Sequence, residues 1–486
     1  MIVRGESRRK GGPMFVGREH ELAALERMYA SDRFEMMVVY GRRRVGKTAL
    51  IDRFLQGKRA LYFTARQQSS RLILRAFARA VSDFYGYSTP LTFETWEAAI
   101  DFLVKNAKEA TASDGGKTII VLDEFPYAAE SEPGLPSLLQ IAIDHGFAGT
   151  NTMLILSGSN QGFMENKVLG YQSPLYGRRT GQLNLRPFDY RDAARFVEGC
   201  TPEDAIRYYA TFGGTPYYLA QLRPGLSYEE NVAALCFDQS GLLYGEPMMM
   251  LREELKSPAL YDSILQAISD GCNTGKAICD RTGIEQTSLS FYLRTLEGLR
   301  LVERVVPFGE KPTSRKGRIR IVDPFFAYWY RFVAPNVTFI ETGNGRAVCE
   351  STCRGEAFST YVGQQFEGMC MQWVMRAFAA GLLPLAPAKI GKWWGNNPLK
   401  REQTDIDVVA ADDAAGKLLL GECKWRNTVN ETRMIEALRE RVGLIRGYDE
   451  TSLAFFTKNP VSSATKTRYA GDEGMMFVCA QDMLAV

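Results

Sequence analysis

Histidine is almost missing from this chain: His20 and His145 are the only two in 486 residues. That excludes zinc sites built from several histidines, and no H-E-x-x-H occurs. Paired cysteines are missing too. Nine cysteines, an odd number, are scattered without the two close pairs of a zinc or disulfide framework. Free thiols and a reducing cytoplasmic setting are therefore expected. No apolar run reaches the roughly 18 residues of a membrane span. The richest stretch, 369–387, is broken by Gln372, Arg376 and Gly381, so no membrane association is expected. Nor does either sign of charge dominate: 59 Lys+Arg against 56 Asp+Glu leave +3, so a claim about nucleic acid has to rest on local patches. Residues 1–13 are basic with no apolar stretch behind them, which reads as a tail rather than a signal peptide.

What is present is a long globular sequence, 45% hydrophobic, of a length suggesting about three domains. Its chemistry has to come from carboxylates, lysines, arginines and the metals they can hold. The strongest motif comes early. The strand-like Phe34-Glu-Met-Met-Val-Val-Tyr40 leads into Gly41, Arg42, Arg43, Arg44, Val45, Gly46, Lys47 and Thr48, followed by Ala49 and a helical pattern to Leu55. This is G-x-x-x-x-G-K-[ST] in the strand–loop–helix setting it requires. Backbone amides of such a loop wrap phosphate oxygens, and the helix N-terminus adds partial positive charge. Lys47 is expected to reach the β- and γ-phosphates of ATP, and Thr48 to ligate Mg²⁺.

A second apolar run, Lys117-Thr-Ile-Ile-Val-Leu, ends in Asp123 and Glu124. Such a run suits a parallel strand buried on both faces. Asp123 is the expected Mg²⁺ carboxylate and Glu124 the general base for the attacking water. A third, Thr152-Met-Leu-Ile-Leu-Ser157, continues into Gly158, Ser159 and Asn160. A polar residue there can orient water; Ser159 is the candidate taken, with Ser157 and Asn160 left open. Arg178 and Arg179, on a glycine-containing turn, are candidate arginine fingers, acting in cis or from a neighbouring subunit of a homo-oligomer. The alternative is a pair of solvated loop arginines.

Phe15-Val16-Gly17-Arg18-Glu19-His20-Glu21-Leu22 resembles the opening segment of AAA+-related and STAND-type ATPases. Phe212-Gly213-Gly214-Thr215-Pro216-Tyr217-Tyr218-Leu219 resembles the proline element of their helical lid. The resemblance implies that Val16, Gly17 and Arg18 lie against the adenine and that Pro216 closes over the nucleotide. Together with the phosphate loop and Ser173-Pro-Leu-Tyr-Gly-Arg-Arg179, the chain resembles prokaryotic AAA ATPases carrying a C-terminal DUF234 domain.

Downstream, helical patterns near 261–269, 275–282 and 286–299 precede two strand patterns, Leu301–Pro307 and Gly317–Asp323. Three helices and a hairpin read as a winged helix-turn-helix. Lys311, Arg315, Lys316, Arg318 and Arg320 make its wing basic, which suits contact with DNA phosphates; the alternative is a docking module with solvated charges. Pro324–Val333 reads as interdomain core. Near the C-terminus, Glu367 on a helix precedes Thr404-Asp405-Ile406-Asp407, a turn, and Glu422-Cys423-Lys424. Alternate strand residues share a face, so Glu422 and Lys424 project together and Asp407 faces them from the neighbouring strand. This is similar to the PD-(D/E)xK nucleases, although Ile406 stands where that pattern usually has proline. The resemblance implies Asp407 and Glu422 as metal ligands, Lys424 orienting or activating water, and Glu367 completing the site. The alternative is a surface ion pair on an acidic hairpin.

The expected architecture is α/β and multidomain. It comprises a basic tail (1–13), a P-loop NTPase parallel sheet (14–186), a helical lid (187–250), a winged helix-turn-helix (251–333), a connector (334–354) and a C-terminal α/β restriction-endonuclease-like domain (355–486).

Overall fold

The computed structural model describes residues 15–113, 116–398 and 400–486; the basic tail read over 1–13 and the Met14 boundary lie outside the described residues. The chain divides into two compact units, one ending at Pro187 and the other starting at Phe188.

The first unit is built on five strands: β1 (Glu35–Tyr40), β2 (Ala60–Thr64), β3 (Thr118–Asp123), β4 (Thr152–Gly158) and β5 (Gly181–Asn184). They pair in the order β2-β3-β4-β1-β5, all parallel. The inner strands β1, β3 and β4 are buried at every position, which is why they read as unbroken apolar runs. Their side chains alternate between two cores. Met36, Val38, Ile120, Leu122, Leu154 and Leu156 pack on one face; Met37, Val39, Ile119, Val121, Met153 and Ile155 pack on the other. Parallel pairing brings the C-terminal ends of β1, β3 and β4 to one edge, where a doubly covered sheet holds its ligands.

The second unit begins with helices, among them Pro202–Phe212, which Thr201 caps by accepting from the Asp204 amide and which starts on Pro202. Helices Pro258–Ser269, Gly275–Thr282 and Gln286–Gly298 then precede an antiparallel pair, β6 (Val302–Val305) and β7 (Arg318–Ile321). Phe325, Phe326, Tyr328, Tyr330 and Val333 are buried in this unit's main core. The segment read as a connector, 334–354, instead contains helices Val337–Glu341 and Gly345–Arg354. Their inward positions are Ile340, Gly345 and Cys349, too few and too small to print an apolar stripe in the sequence.

The 24-residue helix Glu356–Ala379 ties the start of this unit to its end. The Tyr361 hydroxyl donates to the Ala210 and Pro324 carbonyls (2.8 and 2.7 Å), and Gln372 joins the Tyr190 amide to the Tyr209 hydroxyl, each at 3.0 Å. Arg376 holds Asp189 and Asp192. The helix covers a sheet of β8 (Lys389–Asn397), β9 (Glu402–Asp412), β10 (Lys417–Lys424), β11 (Glu450–Thr457) and β12 (Met475–Cys479). The order is β12-β11-β10-β9-β8, antiparallel from β8 to β10 and parallel from β10 to β12. Among the described residues no helix is long and apolar enough to cross a membrane, and all nine cysteines are free thiols.

Candidate functional site

The loop after β1 has a backbone that its sequence dictates. Gly41 has φ +146°, and a Cβ there would lie 2.4 Å from the Leu185 carbonyl oxygen, so only glycine fits beside the residue after β5. Arg44 adopts the left-handed region at φ 71°, as does Gly46, which caps the helix Lys47–Leu55. The buried Lys47 ammonium donates to the Gly41 and Arg42 carbonyls at 2.9 and 3.1 Å. The opening segment is fastened to this loop. Arg18 donates to the carbonyls of Val45 (3.0 Å) and Arg186 (2.6 Å) and pairs with Glu21. Val16, Gly17 and Arg18 are buried there, while Thr48 and Ala49 are exposed in the helix's first turn. Pro216 belongs to the second unit.

Asp123 is buried at the end of β3, and its Oδ2 accepts from the Tyr62 hydroxyl at 2.9 Å. Burial first, then the Asp123 charge, pushes the pKa of this phenol well up, and the nearby Thr48 hydroxyl offsets a small part of that rise. Tyr62 therefore lies close to both expected Mg²⁺ ligands. The other Asp123 oxygen, Oδ1, is buried without a partner. A carboxylate oxygen left bare beside a hydroxyl is a donor set that fits a small hard cation.

Glu124 follows in the left-handed region (φ 50°, ψ 42°), an uncommon place for a non-glycine residue. The Ser159 hydroxyl donates to Glu124 Oε1 at 2.5 Å and the Ser159 amide to Oε2 at 3.3 Å. Of Ser157, Ser159 and Asn160, Ser159 is thus the one on the acid. Ser157 has a buried, unpartnered hydroxyl, and Asn160 caps the next turn through Phe163.

The structure does not bring Arg178 or Arg179 to this loop within one chain. Thr180 hydrogen-bonds the Met36 carbonyl and Gly181 lies opposite Met37, so both arginines sit at the N-terminal edge of the sheet. The phosphate loop leaves β1 at the other end, about 20 Å away along a six-residue strand. Arg178 is clamped on Asp144 at 2.7 Å, and Arg179 donates to the Leu169 carbonyl at 3.5 Å.

In the second unit Asp407, Glu422 and Lys424 do converge. Asp407 Oδ2 accepts from the Cys423 amide at 2.9 Å, and Lys424 Nζ lies 2.5 Å from Glu422. Two residues that the sequence reading missed complete the cluster. Arg441 pairs with the other Glu422 oxygen, and Lys392, on β8, pairs with Glu367. Burial, then the Glu422 charge, raises the Asp407 pKa. Burial lowers Lys392, whereas for Lys424 the Glu422 and Asp407 carboxylates more than offset burial. A cleft of about 750 Å³ opens beside the cluster, lined by Glu367, Lys424, Trp425 and Arg426. Among the described residues no three histidine, cysteine or acidic side chains converge in a way that would hold a metal ion. As the side chains stand, the metal ligands implied for Asp407 and Glu422 are matched by an amide and two cations.

The hairpin charges are also partly engaged. Lys316 pairs with Glu310 and Arg320 with Glu303, while Arg318 lies over the Trp394 ring. Lys311 and Arg315 are exposed between the strands. The Phe308 amide donates to the Lys392 carbonyl at 2.7 Å, so the hairpin connection is docked on β8.

Residues 15–222 match a family described as an ATPase domain predominantly from Archaea, and residues 329–435 match DUF234, archaeal and bacterial proteins of unknown function. An uncharacterized protein of Methanocaldococcus jannaschii is 31% identical over 414 residues, covering 85% of this chain and 88% of its own. Among solved structures, the Walker-type ATPase of Pyrococcus abyssi is 22% identical, covering 68% of this chain and 99% of its own, with a TM-score of 0.49. The ORC2 protein of Aeropyrum pernix is 15% identical, covering 70% of this chain and 98% of its own, with a TM-score of 0.45.

Proposed function

The chain belongs to the P-loop ATPases, predominantly archaeal, that join an ATPase domain to a C-terminal DUF234 domain, and from that premise we propose a Mg²⁺-dependent ATPase whose nucleotide state governs its engagement with DNA. The observation that carries Mg²⁺ dependence is the bare, buried Asp123 oxygen on a carboxylate held by the Tyr62 hydroxyl. Thr48 and Asp123 would hold the ion, which when bound neutralises charge on the phosphate oxygens. The amides from Gly41 to Ala49 cradle the phosphates, with Arg42, Arg43, Arg44 and Val45 lining the loop, and Lys47 swings from its carbonyl partners to the β- and γ-phosphates. Glu124 takes a proton from the attacking water, and Ser159 fixes its orientation. Val16, Gly17 and Arg18 flank the base. Arg178 or Arg179 acts on the site of a neighbouring copy, since neither reaches its own.

For the second unit we propose a lid (187–250) and a winged helix (251–333) ahead of the C-terminal domain. Exposed Gln286, Thr287 and Ser290 would face DNA, with Lys311 and Arg315 on phosphates; Lys316, Arg318 and Arg320 hold the hairpin. The C-terminal module is proposed as nuclease-like, with Glu367, Asp407, Glu422 and Lys424 as its candidate site. A second reading, a docking module without catalysis, is favoured by one observation: Lys392, Lys424 and Arg441 already match its acids.

ATP turnover with and without Mg²⁺, in wild type, Lys47→Ala and Glu124→Gln, tests the first reading; turnover equal in all three proteins would overturn it. Incubation of single-stranded and duplex DNA with Mn²⁺ or Mg²⁺ separates the other two, cleavage lost in Asp407→Ala supporting the nuclease and intact DNA the docking module.

A further inference from the structure

From Arg53 to Ser82 the chain holds seven basic residues and no acid, in a protein whose overall charge is +3. Three of the seven have structural work. Lys58 pairs with Glu26, Arg53 donates to Gln56, and Arg59 covers the Phe84 ring. The other four, Arg66, Arg71, Arg75 and Arg79, are exposed, and among the described residues none is paired with a carboxylate. Their arrangement is regular. The helix Ser70–Tyr85 buries Ile73, Leu74, Phe77, Ala78 and Val81. Arg71, Arg75 and Arg79 recur on its outer side at four-residue steps, about 6 Å apart along the axis. Arg66 extends the row from the loop before the helix, and a cleft of about 380 Å³ between Arg66, Gln68 and Arg79 lies at its side.

We infer that this row is a DNA-backbone contact on the ATPase unit, separate from the winged helix. The inference rests on the DNA reading above for the identity of the polyanion. An even row of arginines, with the exposed Leu72 beside it and the exposed Asp83 at its next four-residue step, suits a regularly repeating phosphate chain better than an irregular acidic protein face. Exposed guanidinium groups on a helix flank position the backbone without reading bases. The row also adjoins the nucleotide site. Ala65, the residue between β2 and Arg66, donates its amide to the Asp123 carbonyl at 2.9 Å, and Tyr62 in β2 holds the Asp123 side chain. DNA seated on Arg66 therefore pulls on backbone bonded directly to the proposed Mg²⁺ carboxylate, and ATP turnover should respond to it.

The test uses the full-length chain and a short DNA duplex, with affinity measured against salt concentration. Replacing Arg71, Arg75 and Arg79 by alanine should reduce the slope of log affinity against log salt by about 2 to 3 and abolish stimulation of ATP turnover by DNA. Replacing all three by lysine should keep most of the slope, and both variants should keep the basal turnover and melting temperature of wild type. An unchanged slope in the alanine variant, together with a loss in Lys311→Ala/Arg315→Ala, would overturn the row and leave the winged-helix reading standing. The reverse pattern supports the row and removes the hairpin contact. A wild-type protein that binds no duplex overturns both. Phosphatidylserine vesicles retained by wild type and released by the alanine variant, with DNA binding equal in the two, would assign the row to a lipid surface instead.

Discussion

In the first unit, Asp123 and Glu124 are held by neutral groups, the Tyr62 phenol and the Ser159 hydroxyl and amide. No cation pairs with either acid among the described residues, and one Asp123 oxygen is bare. In the second unit the acids meet cations from the same chain: Glu367 meets Lys392, and Glu422 meets both Lys424 and Arg441. One sheet edge therefore has negative charge to be completed from outside, and the other is complete in itself. Carboxylates at strand ends carry no fixed meaning; the groups around them decide whether a cation is needed.

The largest effect should come from the uncompensated edge. Lys47→Ala and Glu124→Gln should each lower ATP turnover by about a hundredfold or more, while Asp407→Asn leaves it untouched. Steady-state hydrolysis assays decide this, and equal losses in all three would erase the distinction between the edges. Next, Glu422→Ala leaves Lys424 and Arg441 without their partner, and should cost about 3 kcal/mol in urea denaturation. Any stabilisation by Mg²⁺ should be the same in wild type and Asp407→Ala; stabilisation that rises with Mg²⁺ and vanishes in Asp407→Ala would show a metal site there. Tyr62→Phe, which removes the hydroxyl that holds Asp123 Oδ2, should raise the Mg²⁺ concentration for half-maximal turnover about tenfold. Ser159→Ala should lower turnover about fivefold, the worth of one hydrogen bond on Glu124.

The smallest effect concerns acid. The Asp407 pKa is raised above its ordinary 3.8, so its contribution to stability is full below that value and is lost as pH rises through the higher folded value. Asp407→Asn should remove this pH dependence from the unfolding midpoint, and an unchanged pH profile would place the charge elsewhere.

Much of the first site was legible because its parts sit on consecutive, fully buried strands: apolar runs end in Gly41, in Asp123 and in Ser157-Gly158-Ser159. Tyr62 was not. Its strand β2 lies at the sheet edge, alternates in burial and is only five residues long, so it prints no run. In the second site the Asp407 and Glu422-Cys423-Lys424 pattern was readable from strand alternation, but Lys392 and Arg441 were not. Lys392 lies on β8, whose Lys-Ile-Gly-Lys-Trp-Trp-Gly-Asn-Asn is half-buried along most of its length and lacks a strand's usual apolar face. Arg441 comes from the end of a turn 19 residues after Glu422 and meets it only through folding. The position of Arg178 and Arg179 was likewise invisible, because it depends on which end of β1 the edge strand β5 enters.

The helix Glu356–Ala379 has a practical consequence for anyone wishing to study the C-terminal domain by itself. Its Tyr361, Gln372 and Arg376 are anchored in residues 189–210 and 324, far upstream of the DUF234 sheet it also covers. A gene cut just before residue 356 would yield a fragment whose leading helix has lost the partners on one flank. Aromatic and methionine side chains would then lie open to water, and such fragments are expected to self-associate. Dissection of this protein should cut near residue 187, where the chain passes between its two units, and nowhere downstream of it.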